Sequence, residues 1–353
     1  MVQRVLVGMS GGVDSSVTAY LLLRQGYEVV GATMNLYDPG RLGVPDVRDG
    51  ESNDLEDARS VANRLGIAHH VLDFGCEFEN NVVRPFAQAY ADGLTPNPCI
   101  ACNRHLKFGL MLKAARELGC DGIATGHYAR IAQRPDGRFV LMKGLDDAKD
   151  QAYVLYHMTQ DQLAHTVLPL GEYTKQQVRA IAAEQGFANA RKHESQDICF
   201  VPDGDYVGFL ERYAGLVPEP GDVLDENGAV LGQHRGAIRY TLGQRKGIGI
   251  ASTQALYVTA KDMAANTITM GPADALLADG CTVGDWNWIL PDEGLVHAVV
   301  KTHYRQKPHG AMVVPQEDGT VRLDFDEPSR LAAPGQSAVA YIGDTVLGGG
   351  IVL

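Results

Sequence analysis

The chain has 353 residues, 45% of them hydrophobic and 21% charged, and no apolar run long enough to cross a bilayer. That length provides for two or three domains. The net charge of −12 argues against a non-specific nucleic-acid coat but leaves room for a local basic face. The first residues, MVQRVLVGMSGG, run straight into a strand pattern with no secretory or transit signal, so a cytosolic protein without membrane contact is expected.

In chain order the pattern predicts a strand over 3–8, a helix over 15–25 and a strand over 27–34. Residues 37–53, rich in Gly, Pro and Asp, read as a loop. A helix follows at 54–65, a strand at 67–73, helices at 78–91 and 103–118, and a short strand at 121–125. Strands alternating with helices imply a doubly wound parallel α/β sheet. Two alternating runs around Pro135-Asp136-Gly137 predict a β-hairpin over 128–143. Helices are expected at 150–164 and 174–186. After residue 203 the texture becomes all-β, with short Gly-, Val-, Thr- and Tyr-rich runs suited to small barrels. One β unit is placed at about 207–275 and a second at 280–353, giving expected domains 1–203, 204–277 and 278–353.

Six cysteines are present: Cys76, Cys99, Cys102, Cys120, Cys199 and Cys281. A reducing compartment makes a disulfide framework an unexpected use for them. Cys76, Cys120 and Cys281 lack ligand-spaced neighbours and read as small buried hydrophobes. Cys99 and Cys102 stand just before the predicted helix in NPCIACNRHLKF, with Arg104 and His105 after Cys102. Cys199 follows Lys192 and His193 in a polar segment, KHESQDICF. Cationic neighbours are expected to lower thiol pKa and favour nucleophilic chemistry; Cys199 reads equally as a packing residue beside Ile198 and Phe200. The basic groups, Arg104 with Lys107, Arg191 with Lys192, Arg245 with Lys246, and 301–307, read singly as solvated surface charge.

The strongest local signal is VLVGMSGGVDSSVT, residues 5–18. A strand ends at Gly8 and a helix follows. Between them, Gly11 and Gly12 let backbone N–H groups approach an anion, and Ser15 supplies a hydroxyl at the helix start. Asp14 is a candidate for a metal that bridges phosphates. The pattern is neither G-x-x-x-x-G-K-[ST] nor G-x-G-x-x-G. It resembles the PP-loop of the ATP pyrophosphatases, which implies ATP cleaved to AMP and pyrophosphate.

Further stretches extend the resemblance: NPCIACNRHLKF, TGHYAR (125–130), KDQAYVL (149–155), SQDICFV (195–201), YTLGQRKGIGI (240–250) and GQSAVAY (335–341). Together they resemble the bacterial tRNA-specific 2-thiouridylase family over nearly the whole chain. That resemblance implies that ATP adenylates O2 of the wobble uridine in tRNA, and that persulfide sulfur then displaces AMP at C2. It implies Cys199 as persulfide carrier and Cys102 as the second catalytic cysteine. Gly8, Met9, Ser10, Gly11, Gly12, Val13, Asp14 and Ser15 would hold the phosphates with Mg2+, and Met34 and Gly126 would meet the adenine. Asn97, Pro98 and Cys99 match the segment near the target base, with His127 either near the substrate or structural. Lys149, Asp150 and Gln151, then Tyr304, Arg305 and Gln336, match tRNA contacts.

Cys99 is a departure, since many relatives carry aspartate there. It also makes a third thiol, so an iron–sulfur cluster on Cys99, Cys102 and Cys199 is the second reading after the persulfide. A target base has to be unstacked into a pocket, which needs only a local basic strip. The implied partners are tRNA and a sulfur donor, either a cysteine desulfurase or a sulfur-relay protein. The rival is a PP-loop synthetase that adenylates a small molecule.

Overall fold

The computed structural model describes residues 3–45, 54–190, 192, 197–291, 294–330 and 332–353. Its first sheet has five strands, all parallel: β1 (Arg4–Gly8), β2 (Glu28–Asn35), β3 (His69–Asp73), β4 (Gly122–Ala124) and β7 (Thr166–Val167), in the order β3-β2-β1-β4-β7. The chain winds outward from β1 to β3 on one side, then returns to β4 on the other. The strand order therefore reverses beside β1, and a crevice opens at the carboxyl ends of β1 and β4. Val5, Leu6 and Val7 are fully buried, as a strand covered on both faces requires.

Helix α1 (Val13–Arg24) leaves the loop after β1 and buries Val17, Ala19 and Leu22 against the sheet. Two long helices contain widened π turns. The first spans 75–91 with its π turn at Glu79–Val83. The second spans 98–117 with its π turn at Asn103–Leu110. Asn97 caps the second, its side-chain oxygen accepting from the Cys99 amide at 3.1 Å. Helix 175–184 starts with a capping box, Thr174 and Gln177 bonding each other's backbone N–H.

The predicted hairpin forms as β5 (Ala129–Gln133) and β6 (Phe139–Lys143). It joins the far end of the chain, where β6 pairs with β17 (Thr345–Val352) through Met142 and Thr345. Strands β12 (Leu277–Trp288), β13 (Val296–Lys301), β14 (His309–Pro315), β15 (Val321–Arg330), β16 (Ser337–Ile342) and β17 close into a six-stranded barrel, with β12 pairing both β15 and β17. A separate four-stranded sheet runs β10-β11-β8-β9, from β8 (Gly221–Leu224), β9 (Val230–His234), β10 (Tyr257–Asp262) and β11 (Thr267–Gly271).

The barrel shares a core with the first sheet: Ile289, Val339, Tyr341 and Val346 pack in one cluster with Leu6, Ile123 and Tyr153. Tyr153 donates to the Ser337 carbonyl at 2.6 Å, and Asn287 donates to the Tyr156 carbonyl at 2.6 Å.

Four expectations need correction. The helix predicted over 150–164 is a 3-10 turn at Ala152–Leu155 and a short helix at Gln160–Ala164. Its apolar residues follow barrel packing rather than a helical stripe. The all-β region begins with a helix, Tyr206–Ala214, capped by Asp205. The loop at 37–53 holds a short helix, Pro39–Leu42, while 46–53 lie outside the described residues. Cys76 is exposed, whereas Cys120 and Cys281 are buried as expected.

Candidate active site

The loop after β1 is built from backbone. Gly12 caps α1 with no side-chain cap, so the first amides of the helix stay free to face an anion. Gly11 takes φ +73°, and a side chain there would strike the Asp54 carbonyl. Ser15 donates to the Gly12 carbonyl at 3.0 Å and accepts from the Ser10 amide at 3.2 Å. Met9 is buried and holds β2 through Ala32 at 2.7 Å. Gly8 lies against Met111 of helix 98–117. Val13 is buried beneath the loop, and Met34 sits at the carboxyl end of β2.

Gly126 follows β4 and closes the crevice from the other side. A Cβ on it would lie 3.0 Å from the Asp14 Cβ and 3.1 Å from the Ser15 nitrogen. The loop Gly8–Ser15 and Gly126 thus meet beyond the carboxyl ends of β1 and β4, and Met34 lies near the carboxyl end of β2.

Asp14 is engaged. Lys175 donates to both its carboxylate oxygens at 2.8 Å, and the Tyr128 hydroxyl donates to one at 2.8 Å. Among the described residues no group of three or more His, Cys, Asp or Glu converges on a metal position. These residues do not fit a resident Mg2+ or a cluster on the three thiols; magnesium fits only as part of an ATP–metal substrate. Lys175 was missed in the sequence because it lies 161 positions from Asp14; the only local signal is the capping box that places it at a helix start. Asn189 was missed likewise. Its amide donates to the Gly11 carbonyl at 2.8 Å and the Ser16 hydroxyl at 2.9 Å, so it braces the loop from beneath.

The thiols lie on the next helix. Cys99 is exposed in its first turn and Cys102 is buried in the second. Cys199 is brought near enough to both that their thiols disfavour its ionisation, as Cys99 disfavours that of Cys102. By area Cys199 is exposed, although protein crowds it on most sides. That crowding and the Cys102 and Cys99 thiols push its pKa up to about 12, while Lys107 pulls it down. Its exposed area leaves the Cys199 thiol reachable. Burial raises Cys102 too, against Lys107.

The expected lowering of thiol pKa is thus overturned. Arg104 does not serve the thiols because it pairs with Asp285 of β12. His105 is held below its usual range by burial and Arg104. Lys192 bonds Asp54 at 2.6 Å and Asp57 at 2.8 Å. His193 and Arg191 lie outside the described residues.

His127 connects the two halves. It follows Gly126, shares a 2.7 Å hydrogen bond with Thr125 through Nδ1, and packs on Phe108 with ring centroids 5.7 Å apart. Burial and then Lys107 hold it neutral, well below the usual histidine range.

The remaining matches separate into anchors and surface. Asp150 accepts from the Gly144 and Ala152 amides at 3.1 Å each; burial raises its pKa despite those bonds. Gln151 accepts from the Tyr128 amide at 3.0 Å. Tyr304 donates to the Asp150 carbonyl at 3.3 Å and lies within electrostatic reach of Cys99. Gln336 donates to the Thr95 carbonyl at 2.6 Å, fastening the loop ahead of Asn97 and buried Pro98 to the barrel. These side chains hold the structure, while Lys149 is partly exposed and Arg305 exposed beside them.

Comparison with known proteins gives three family matches in register with these parts: a tRNA methyl transferase HUP domain over residues 3–203, a tRNA methyl transferase PRC-barrel domain over 208–272, and an aminomethyltransferase beta-barrel domain over 278–352. The tRNA-specific 2-thiouridylase MnmA of Geotalea uraniireducens is 49% identical, covering 99% of this chain and 94% of that protein. The protein of the same name from Carboxydothermus hydrogenoformans is 48% identical, covering 99% and 97%. Among solved structures, a 4-thiouridine synthetase–RNA complex with bound ATP covers 60% of this chain and 50% of its own, at 17% identity and a TM-score of 0.38. On the full-length relatives and the three matched domains, the chain belongs to the tRNA-specific 2-thiouridylase family.

Proposed function

We propose that this chain carries out its family's reaction, ATP-dependent 2-thiolation of a tRNA uridine, with the wobble position as target. One observation supports this most: Gly126 and His127 touch both halves of the site, the phosphate loop through Asp14 and the thiol helix through Phe108. ATP would lie along Gly8–Ser15 with its phosphates on the free amides of α1, and adenine would meet Met34 and Gly126. The uridine O2 attacks the α-phosphate, and pyrophosphate leaves. A methyl transfer, the wording of two matched domains, has no use for such a phosphate loop beside paired thiols.

The sulfur step uses Cys199 and Cys102. Cys199 carries the sulfur as Cys199–S–SH. The Cys102 thiolate attacks the Cys199 sulfur; the Cys102–Cys199 bond forms, the S–SH bond breaks, and hydrosulfide leaves. Hydrosulfide adds to C2 and AMP departs with the former O2. A reductant then restores both thiols. Neutral His127 is placed to accept or donate a hydrogen bond at the base. Cys99, exposed one turn before Cys102, stands beside the base pocket with Asn97 and Pro98. Lys149 and Arg305, with Tyr304 behind them, provide the basic strip for tRNA. The sulfur comes from a cysteine desulfurase or a relay protein in the cytosol. The division 1–203, 204–277 and 278–353 corresponds to catalysis and two RNA-facing walls.

The test is digestion and mass analysis of tRNA incubated with the protein, ATP, magnesium and a persulfide source. Thiouridine made by the wild type and not by Cys199→Ser is expected. ATP turnover without thiouridine would favour a synthetase acting on a small molecule.

A further inference from the structure

The helix that carries Cys99 and Cys102 changes its winding immediately after Cys102, at Asn103–Leu110. A π turn takes about 4.4 residues where an α turn takes 3.6, so each residue advances about 82° instead of about 100°. Lys107 is therefore about 50° from Cys102 around the axis; uninterrupted α winding would put it about 140° away. Relative to Cys99 the offset falls from about 80° to about 10°. The π turn thus brings Lys107 onto the face that bears the thiols.

The other basic groups of this helix are engaged or turned outward. Arg104 pairs with Asp285, and Arg116 pairs with Asp161 at 2.8 Å. Lys113 is exposed. Lys107 is half-buried and, among the described residues, has no carboxylate partner. Its charge acts on Cys102, Cys199 and His127. Cys99 adjoins the thiols, and beyond it Tyr304 of the barrel stands with Lys149 and Asp150. His157, near Arg104, Asp285 and His105, is pushed down to about 4 by burial and carries no charge at neutral pH. Among the described residues, this ammonium is therefore the cation that acts on both Cys102 and Cys199. The ammonium gains a counter-charge when a sulfur loses its proton.

We propose that Lys107 is the positioning cation of the sulfur site, holding the thiolate of Cys102 and the persulfide anion of Cys199 and so setting the pH at which sulfur is transferred. The role rests on the two-cysteine reading above, but its electrostatic part can be measured without tRNA or ATP. Failure of one is therefore distinguishable from failure of the other.

The full-length protein is alkylated with iodoacetamide from about pH 6.5 to about pH 10.5, and the rates at Cys102 and Cys199 are read by peptide mass. Lys107→Met should slow Cys199 about tenfold near pH 8, shifting its profile upward by about one pH unit. Lys107→Arg should stay within about threefold of wild type, since the charge is kept. Superimposed profiles for wild type and Lys107→Met would overturn the proposal, as would an arginine variant as slow as methionine. A second substitution covers a methionine variant that fails to fold. Lys107→Gln, a polar side chain without the charge, should slow Cys199 about tenfold near pH 8 as well. A folded glutamine variant with the wild-type profile would contradict the proposal.

Discussion

The phosphate loop and the sulfur site lie on neighbouring elements but are built in opposite ways. The loop is made of backbone from one contiguous stretch, Gly8–Ser15, and side chains only brace it from behind: Ser15, Asn189 and the Lys175–Asp14 pair. The sulfur site is made of side chains from separate stretches, Cys99 to Lys107, His127 and Cys199, which only the fold brings together. A backbone site fixes its own electrostatics, because free amides at a helix start favour an anion whatever surrounds them. A side-chain site takes its electrostatics from packing. That is why the Cys102 and Cys199 thiols are pushed up rather than down.

Substitutions should separate the two regions. The largest effect is expected from Cys199→Ser: thiouridine formation falls about a thousandfold or more, while tRNA-dependent release of pyrophosphate stays within about threefold. Loss of pyrophosphate release would mean that the regions do not act separately. Next comes Gly126→Ala. Its Cβ would meet Asp14 and Ser15 at 3.0–3.1 Å, against backbone that cannot yield freely. ATP affinity by calorimetry should drop about tenfold or more, with the alkylation profile of Cys199 unchanged.

The thiols themselves give a pH signature. A thiol whose folded pKa is raised stays protonated through neutral pH, so alkylation of Cys199 should still be rising near pH 10. A plateau by pH 8 would place the thiol pKa near or below its ordinary value and contradict the crowding argument. The smallest effect is expected for Gln336→Ala, which removes the 2.6 Å bond to Thr95. The KM for tRNA should rise about threefold, with ATP affinity unaffected. Binding of tRNA should weaken as salt rises, by a slope of about 0.7 to 0.9 per phosphate contact.

Much of this was legible in the sequence, for a physical reason. SGGVDSS states its own conformation, since Gly11 needs φ +73° and the helix after it starts at once. The parallel sheet follows from strands alternating with helices. The hairpin follows from Pro135-Asp136-Gly137, yet nothing in residues 128–143 says that β6 continues the barrel through Thr345. Residues 150–164 carry apolar side chains that read as a helix, whereas Tyr153 and Tyr156 reach Ser337 from irregular backbone. At the site, Cys99, Cys102 and Cys199 come from separate stretches and lie within electrostatic reach of one another. Their environment was not legible, because Arg104 is engaged by Asp285, which lies far along the chain. The π turn that redirects Lys107 has no local sequence mark. Lys175 and Asn189 reach the phosphate loop only through tertiary packing.

The central claim is that Cys102 and Cys199 act as a pair. It is tested most directly by a single turnover of protein loaded with one persulfide per chain, with ATP and tRNA and without reductant. Thiouridine and the Cys102–Cys199 disulfide would be counted in the same sample by mass. The account predicts one disulfide for each thiouridine, with Cys99 free. Thiouridine formed while both Cys102 and Cys199 remain thiols, or a disulfide through Cys99 instead, would contradict it.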